Sequence, residues 1–153
     1  MRYLVFSIVF TVLHAIAYMV AGVVALRISK DVYESKSRKL DYVRDMEDPA
    51  ERSHVQRFFF PAQLARGLLL SVVLYPILSA LGETGYLTRT VFLFGILFVY
   101  THIASAAPCP DNVEGLVYLK REYIDTSMIL KFQMEMVLYS VLFAGVGGWL
   151  LFR

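Results

Sequence analysis

Cysteine occurs once in this 153-residue chain, at Cys109, and tryptophan once. A lone cysteine excludes an internal disulfide. Histidine occurs three times, at His14, His54 and His102. His54 falls among charges, so the apolar segments hold no catalytic zinc set. Charged residues make up only 18% of the chain, and they cluster. Positions 27–57 carry 8 of the 15 Lys and Arg and 7 of the 13 Asp and Glu. The net charge of +2 gives no argument for a nucleic-acid partner. Internal repeats and low-complexity tracts are missing. So are the alternating ten-residue segments of a membrane β-barrel.

What remains is long apolar sequence, in a chain that is 58% hydrophobic. Four runs, about 3–28, 58–81, 90–107 and 128–152, are long enough to cross a hydrocarbon core of ~30 Å. Each is expected to be helical, because an isolated strand in lipid would leave its backbone unpaired. Ala15-Ile16-Ala17 resembles a signal-peptidase site, but the run stays apolar to Leu26 and is read as a retained span. Arg27 together with loops 29–57 and 108–127 makes ten basic residues on one side, against three (Arg2, Arg89, Arg153) on the opposite side. That bias places both loops in the cytoplasm and both termini outside. The fold expected is an all-α integral membrane protein. It is a single four-transmembrane-helix bundle over 1–153, N-out/C-out, with a cytoplasmic helical extension before the second span.

Local signals sharpen the boundaries. Asp48-Pro49-Ala50-Glu51 combines a capping residue, Pro at the first helical position and Glu at the third, so a helix starts near Pro49. Phe58-Phe59-Phe60 then falls where aromatic side chains gather at a membrane interface. Pro61 lacks a backbone donor and predicts a kink. Gly82-Glu83-Thr84-Gly85 predicts a tight turn between spans two and three. Asp125 predicts the N-cap of span four. The half-apolar stretch from Gly115 to Tyr123 is too short to span and predicts an interfacial segment.

Ionisable groups inside a span are costly and point to function. Each span carries at least one: His14, Arg66, His102 and Glu135. They lie roughly 17 to 26 Å from the outer end at ~1.5 Å per residue, so they form one layer. Ser7, Thr11, His14 and Tyr18 share a face of span one. Gln63 joins Arg66, Ser105 joins His102, and Lys131 and Tyr139 flank Glu135 at one-turn spacing. Arg66 and Glu135 are expected to pair, because each alone is costly in lipid. His102, Glu135 and His14 are the candidate catalytic, proton-handling groups. Arg66, Gln63, Tyr18, Ser105, Tyr139, Asn112 and Glu114 are the candidate ligand contacts, with Asp111, Asn112 and Glu114 at the cytoplasmic rim. The blander reading is that the Arg66–Glu135 pair only locks helices and Asn112 only caps a turn.

Metal and cofactor signals are weak. Two histidines on separate helices, beside Arg and Glu, make a poor haem slot. Met134 and Met136 point about 200° apart on a helix and cannot share an ion. The residues name no cofactor. Cys109, between Pro108 and Pro110, is either a nucleophile, an acylated thiol or inert; nucleophilicity would need a lowered pKa.

The partners expected are the lipid bilayer and a lipid-like or amphipathic small molecule bound in a polar pocket open to the cytoplasm. The pocket would bind its ligand and transform or transport it. The alternative is a non-catalytic accessory or assembly subunit, paired with a second copy or with a membrane complex. A proton-coupled transporter of this size would need an oligomer. The layout of four spans, a long charged first cytoplasmic loop and outward termini resembles the membrane-associated proteins of eicosanoid and glutathione metabolism. The stretch "ERSHVQRFFFPAQLARG" holds Glu51, Arg52, His54 and Arg57 but lacks the Asn and the following Glu of that family's signature. The resemblance therefore implies topology and transfers no residue roles.

Overall fold

The computed structural model describes residues 2–34 and 39–153. It is 79% helical, with no strand among the described residues. Helix α1 spans Arg2–Ile28 and α2 spans Lys30–Tyr33. Helix α3 spans Pro49–Val73, followed by a 3₁₀ turn at Tyr75–Ile77 and by α4, Leu78–Glu83. Helix α5, Tyr86–Phe94, runs on as a π-helix over Gly95–Ile103. Helix α6 is Val113–Tyr118, a 3₁₀ turn covers Arg121–Tyr123, and α7 is Thr126–Leu150. Three helical stretches are long and apolar enough to cross a membrane, and a fourth qualifies if the bent pair of α3 with Tyr75–Glu83 is one span.

The helix starts follow capping chemistry. Asp48 accepts hydrogen bonds from the Ala50 and Glu51 amides at 2.8 and 2.9 Å, with Pro49 at the first helical position. Asp125 accepts from the Met128 amide at 3.1 Å and starts α7. A bend not expected from the sequence lies beyond Pro61, next to Pro76. Helix α3 runs through Pro61 uninterrupted, and the 43° bend comes after Val73, where Pro76 sits in the 3₁₀ turn. A proline costs one backbone bond inside a helix, whereas the first turn of a new segment has no partner for that donor anyway. Span three starts at Tyr86, ahead of the expected position 90, and its helix stops at Ile103.

Helix α1 packs on both α3 and α7, and α5 with its π continuation packs on α7. The seam between α3 and α5 carries no comparable packing. The core runs along these contacts through Phe6, Phe10, Leu74, Leu93, Tyr139 and Phe143, with Phe10 and Phe143 ring centroids 4.7 Å apart. Close approach of α1 and α3 depends on Gly67. A Cβ there would lie 2.9 Å from the Thr11 Cα and 3.1 Å from His14 Cδ2. Ala17, Ala21 and Ala25 on α1 are likewise buried.

The two ends of the bundle differ. At one end the termini meet the 82–85 turn around a cavity of about 690 Å³, lined by Arg2, Phe6, Leu78, Glu83 and Phe152 among others. At the other end the first loop is strapped to the foot of α7. Val32, Leu40 and Met128 form a small second core. Lys39 Nζ donates to Asp125 Oδ1 at 2.8 Å and to Ser127 Oγ at 3.0 Å, and Lys131 pairs with Asp31. The Lys131 ammonium holds the Asp31 carboxyl below its ordinary range, and Lys39 does the same for Asp125. Lys36 and Arg38 of the basic loop lie outside the described residues.

Candidate functional site

The four ionisable groups of the spans sit near the strapped end, but they do not form the pairing expected of them. No ion pair joins Arg66 to Glu135 among the described residues. The layer divides instead into two clusters.

The first cluster is a hydrogen-bonded knot around His14, within which Thr11 Oγ1 is buried without a partner. Ser7, Thr11, His14 and Tyr18 face α3, as their spacing on one stripe of α1 implies. His14 is fully buried. Its Nδ1 lies 2.6 Å from the Tyr139 hydroxyl and its Nε2 lies 3.3 Å from Gln63 Oε1. With Gln63 Oε1 as acceptor, Nε2 carries the proton and Nδ1 accepts from the phenol. Above it, Ser71 donates to Ser7 at 2.7 Å and Ser7 meets the Tyr75 hydroxyl at 2.6 Å. Arg66 lies at the half-buried edge of this knot. Its guanidinium stacks over the Tyr18 ring, 5.5 Å from the centroid. Tyr18 in turn packs on Tyr139, with centroids 5.3 Å apart.

The second cluster is assembled by the loop after span three. The π-helix carries His102 one step beyond Phe98 in a ring ladder, with centroids 6.0 Å apart. Such helices are rare and recur at functional sites. Asp111, expected at a hydrated rim, is buried instead, and its Oδ2 lies 2.8 Å from His102 Nε2. That contact is off the line of a hydrogen bond, so Nε2 has no hydrogen-bond partner. Gln133 on α7 donates to the Asp111 carbonyl at 2.7 Å and to its Oδ2 at 3.1 Å. Asp111 Oδ1 is buried without a partner. Glu135, half-buried on α7, lies beside Tyr33, His102 and Asp111. Lys131 and Glu135 are one turn apart, and they meet Asp31 and Tyr33 of α2 respectively. Burial, and then the nearby Glu135 charge, push the Tyr33 phenol well above its ordinary value.

Asn112 builds this loop. Its Oδ1 accepts from the Gly115 amide at 2.7 Å and from the Cys109 amide at 3.1 Å, and its Nδ2 donates to the Ala107 carbonyl at 2.8 Å. Both ends of the amide are thus engaged within the loop. Gly115 is obligatory here, since a Cβ would lie 1.6 Å from the Cys109 carbonyl oxygen. Ser105 belongs to the same loop, where its hydroxyl accepts from the Ala107 amide at 3.3 Å. Glu114 is half-buried in the first turn of α6, next to the Asn112 cap. Neither joins the two clusters. Burial, and then the Asp111 carboxylate, push the Cys109 thiol up to about 12, so its nucleophilic thiolate is scarce at neutral pH. Among the described residues no group of three or more His, Cys, Asp and Glu could hold a metal ion.

Asp111 as a buried partner, Tyr33 and Gln133 are the members that sequence reasoning missed. The Asn112 cap and Gly115 hint at a loop that turns back. Nothing in a pattern of apolar residues shows that it turns back onto His102. No protein-family model, curated protein or solved structure matches this chain.

Proposed function

We propose that the chain is an integral membrane protein that binds a lipid-like or amphipathic ligand in its polar layer and acts on it there. The carrying observation is Arg66. It stands in the apolar half of α3, is half-buried, and has no carboxylate within ion-pair distance among the described residues. A guanidinium in that position favours an anionic head, such as a phosphate or carboxylate, held in its fork. The weakly packed α3–α5 seam gives the ligand's chain a route from the bilayer. His102, backed by Asp111, is the group placed to move a proton. Orientation follows the basic residues: the strapped end with loops 29–57 and 108–127 faces the cytoplasm, and the termini face outward.

A second reading has one observation in its favour. Both ring nitrogens of His14 are engaged inside the protein, as in a lock between α1, α3 and α7. A layer made only of such locks would suit an accessory subunit that holds partners together. The two readings separate on mass spectrometry of lipids that co-purify in mild detergent. The ligand reading expects an amphipath with a phosphate or carboxylate in its head on the wild type and its loss from Arg66→Met. An unchanged lipid profile in a well-folded Arg66→Met protein would leave the accessory reading standing.

A further inference from the structure

The charges of the polar layer are separated rather than paired. The Arg66 guanidinium stacks over the Tyr18 ring, and the Tyr18 phenol is near both Arg66 and Glu135. Among the described residues neither Glu135 nor Asp111 has a Lys or Arg within ion-pair distance; Asp111 has only His102. Burial makes opposite charges pair where geometry allows, and uncompensated ones are costly. Asp111 adds an independent mark: its side chain is fully buried, and Oδ1 is an acceptor with no donor. A buried acceptor left open costs free energy unless a ligand supplies the donor.

We infer that the site is built for a zwitterionic lipid headgroup, with a phosphate at Arg66 and a primary ammonium at Glu135 and Asp111. This rests on the lipid-binding reading and narrows it to a substrate class. The phosphate would lie against the guanidinium where it stacks over Tyr18. The ammonium would cross Tyr18 and reach the Glu135 carboxylate, the Tyr33 hydroxyl and Asp111 Oδ1. All three groups reward N–H donors, and Asp111 Oδ1 needs one. A trimethylated ammonium has none to give, so the site should prefer a phosphoethanolamine head over a phosphocholine head. A simple anion satisfies only the Arg66 half.

The test is a lipid panel on the intact wild-type protein in detergent micelles, read by native mass spectrometry, so that no variant needs to fold. Phosphatidylethanolamine, phosphatidylcholine, phosphatidic acid and phosphatidylglycerol carry the same acyl chains. Phosphatidylethanolamine is expected to bind about tenfold more tightly than the other three, the worth of one charge-assisted contact. Glu135→Gln should bring that ratio near one, with Arg66→Lys as a charge-preserving control that stays folded. Equal binding of all four lipids, lost together in Arg66→Met, overturns the zwitterion and leaves the anionic-ligand reading intact. Retention of all four by Arg66→Met overturns both. Competition by free phosphoethanolamine would support the same headgroup chemistry while assigning it to a soluble ligand.

Discussion

His14 and His102 stand in one polar layer and live in opposite circumstances. His14 is enclosed by α1, α3 and α7, and each of its nitrogens has a partner. His102 touches a buried carboxylate at 2.8 Å, yet its Nε2 forms no hydrogen bond and the other oxygen of that carboxylate is unpartnered. A satisfied buried network rigidifies the fold, whereas an unsatisfied one marks where something else must bind or react. The contrast separates a histidine enclosed by partners from one beside open polar atoms.

The largest effect expected on this comparison concerns the loop that builds the His102 side. With its thiol pushed up to about 12 from an ordinary 9.0, Cys109 holds about 10³-fold less thiolate at pH 8 than a free thiol does. Its alkylation by iodoacetamide should be slower by about that factor and should climb as pH rises toward about 12. The sign follows from the proton being held more tightly: raising pH removes it and restores the nucleophile. A rate at pH 8 equal to that of free cysteine would mean that Asp111 does not sit beside the thiol, and the His102 cluster would fall with it.

Next in size is His14→Phe. The substitution keeps an aromatic ring, though a larger one, strands the Tyr139 hydroxyl and Gln63 Oε1, both buried, and should cost about 2–4 kcal/mol. Thermal unfolding in mild detergent reads it, and a loss below about 1 kcal/mol would show the knot to be slack. His102→Gln should be the smallest. Its Nε2 gives up no hydrogen bond, and the glutamine amide offers the Asp111 carboxylate a donor in its place, so the same melt should move by less than about 1 kcal/mol. Equal losses at the two histidines would erase the distinction drawn between them.

Much of the molecule was legible from its residues. The caps at Asp48 and Asp125, the Asn112 turn and the four apolar runs follow from local chemistry, and the structure has helices where those signals stand. The stripe from Ser7 to Tyr18 was legible for the same reason: a fixed helical period puts those residues on one face. Helix α3 continues through Pro61, and the 43° bend after Val73, beside Pro76, was not anticipated from the residues. The Arg66–Glu135 pair misled because equal depth along the helices says nothing about azimuth.

The sequence by itself determined that this protein is helical, that several of its helices are long and apolar enough to cross a bilayer, and which polar groups share a face of one helix. Those properties depend on composition and on spacing along one helix. Only the tertiary structure decided which of those groups meet. It turned the Pro108–Gly115 loop inward so that Asp111 reaches His102, brought α2 over Glu135, and left Arg66 without a carboxylate partner among the described residues. Partners of this kind are chosen by rotation of helices about their axes and by the path of a loop. Neither is written in the hydrophobic period of any single segment.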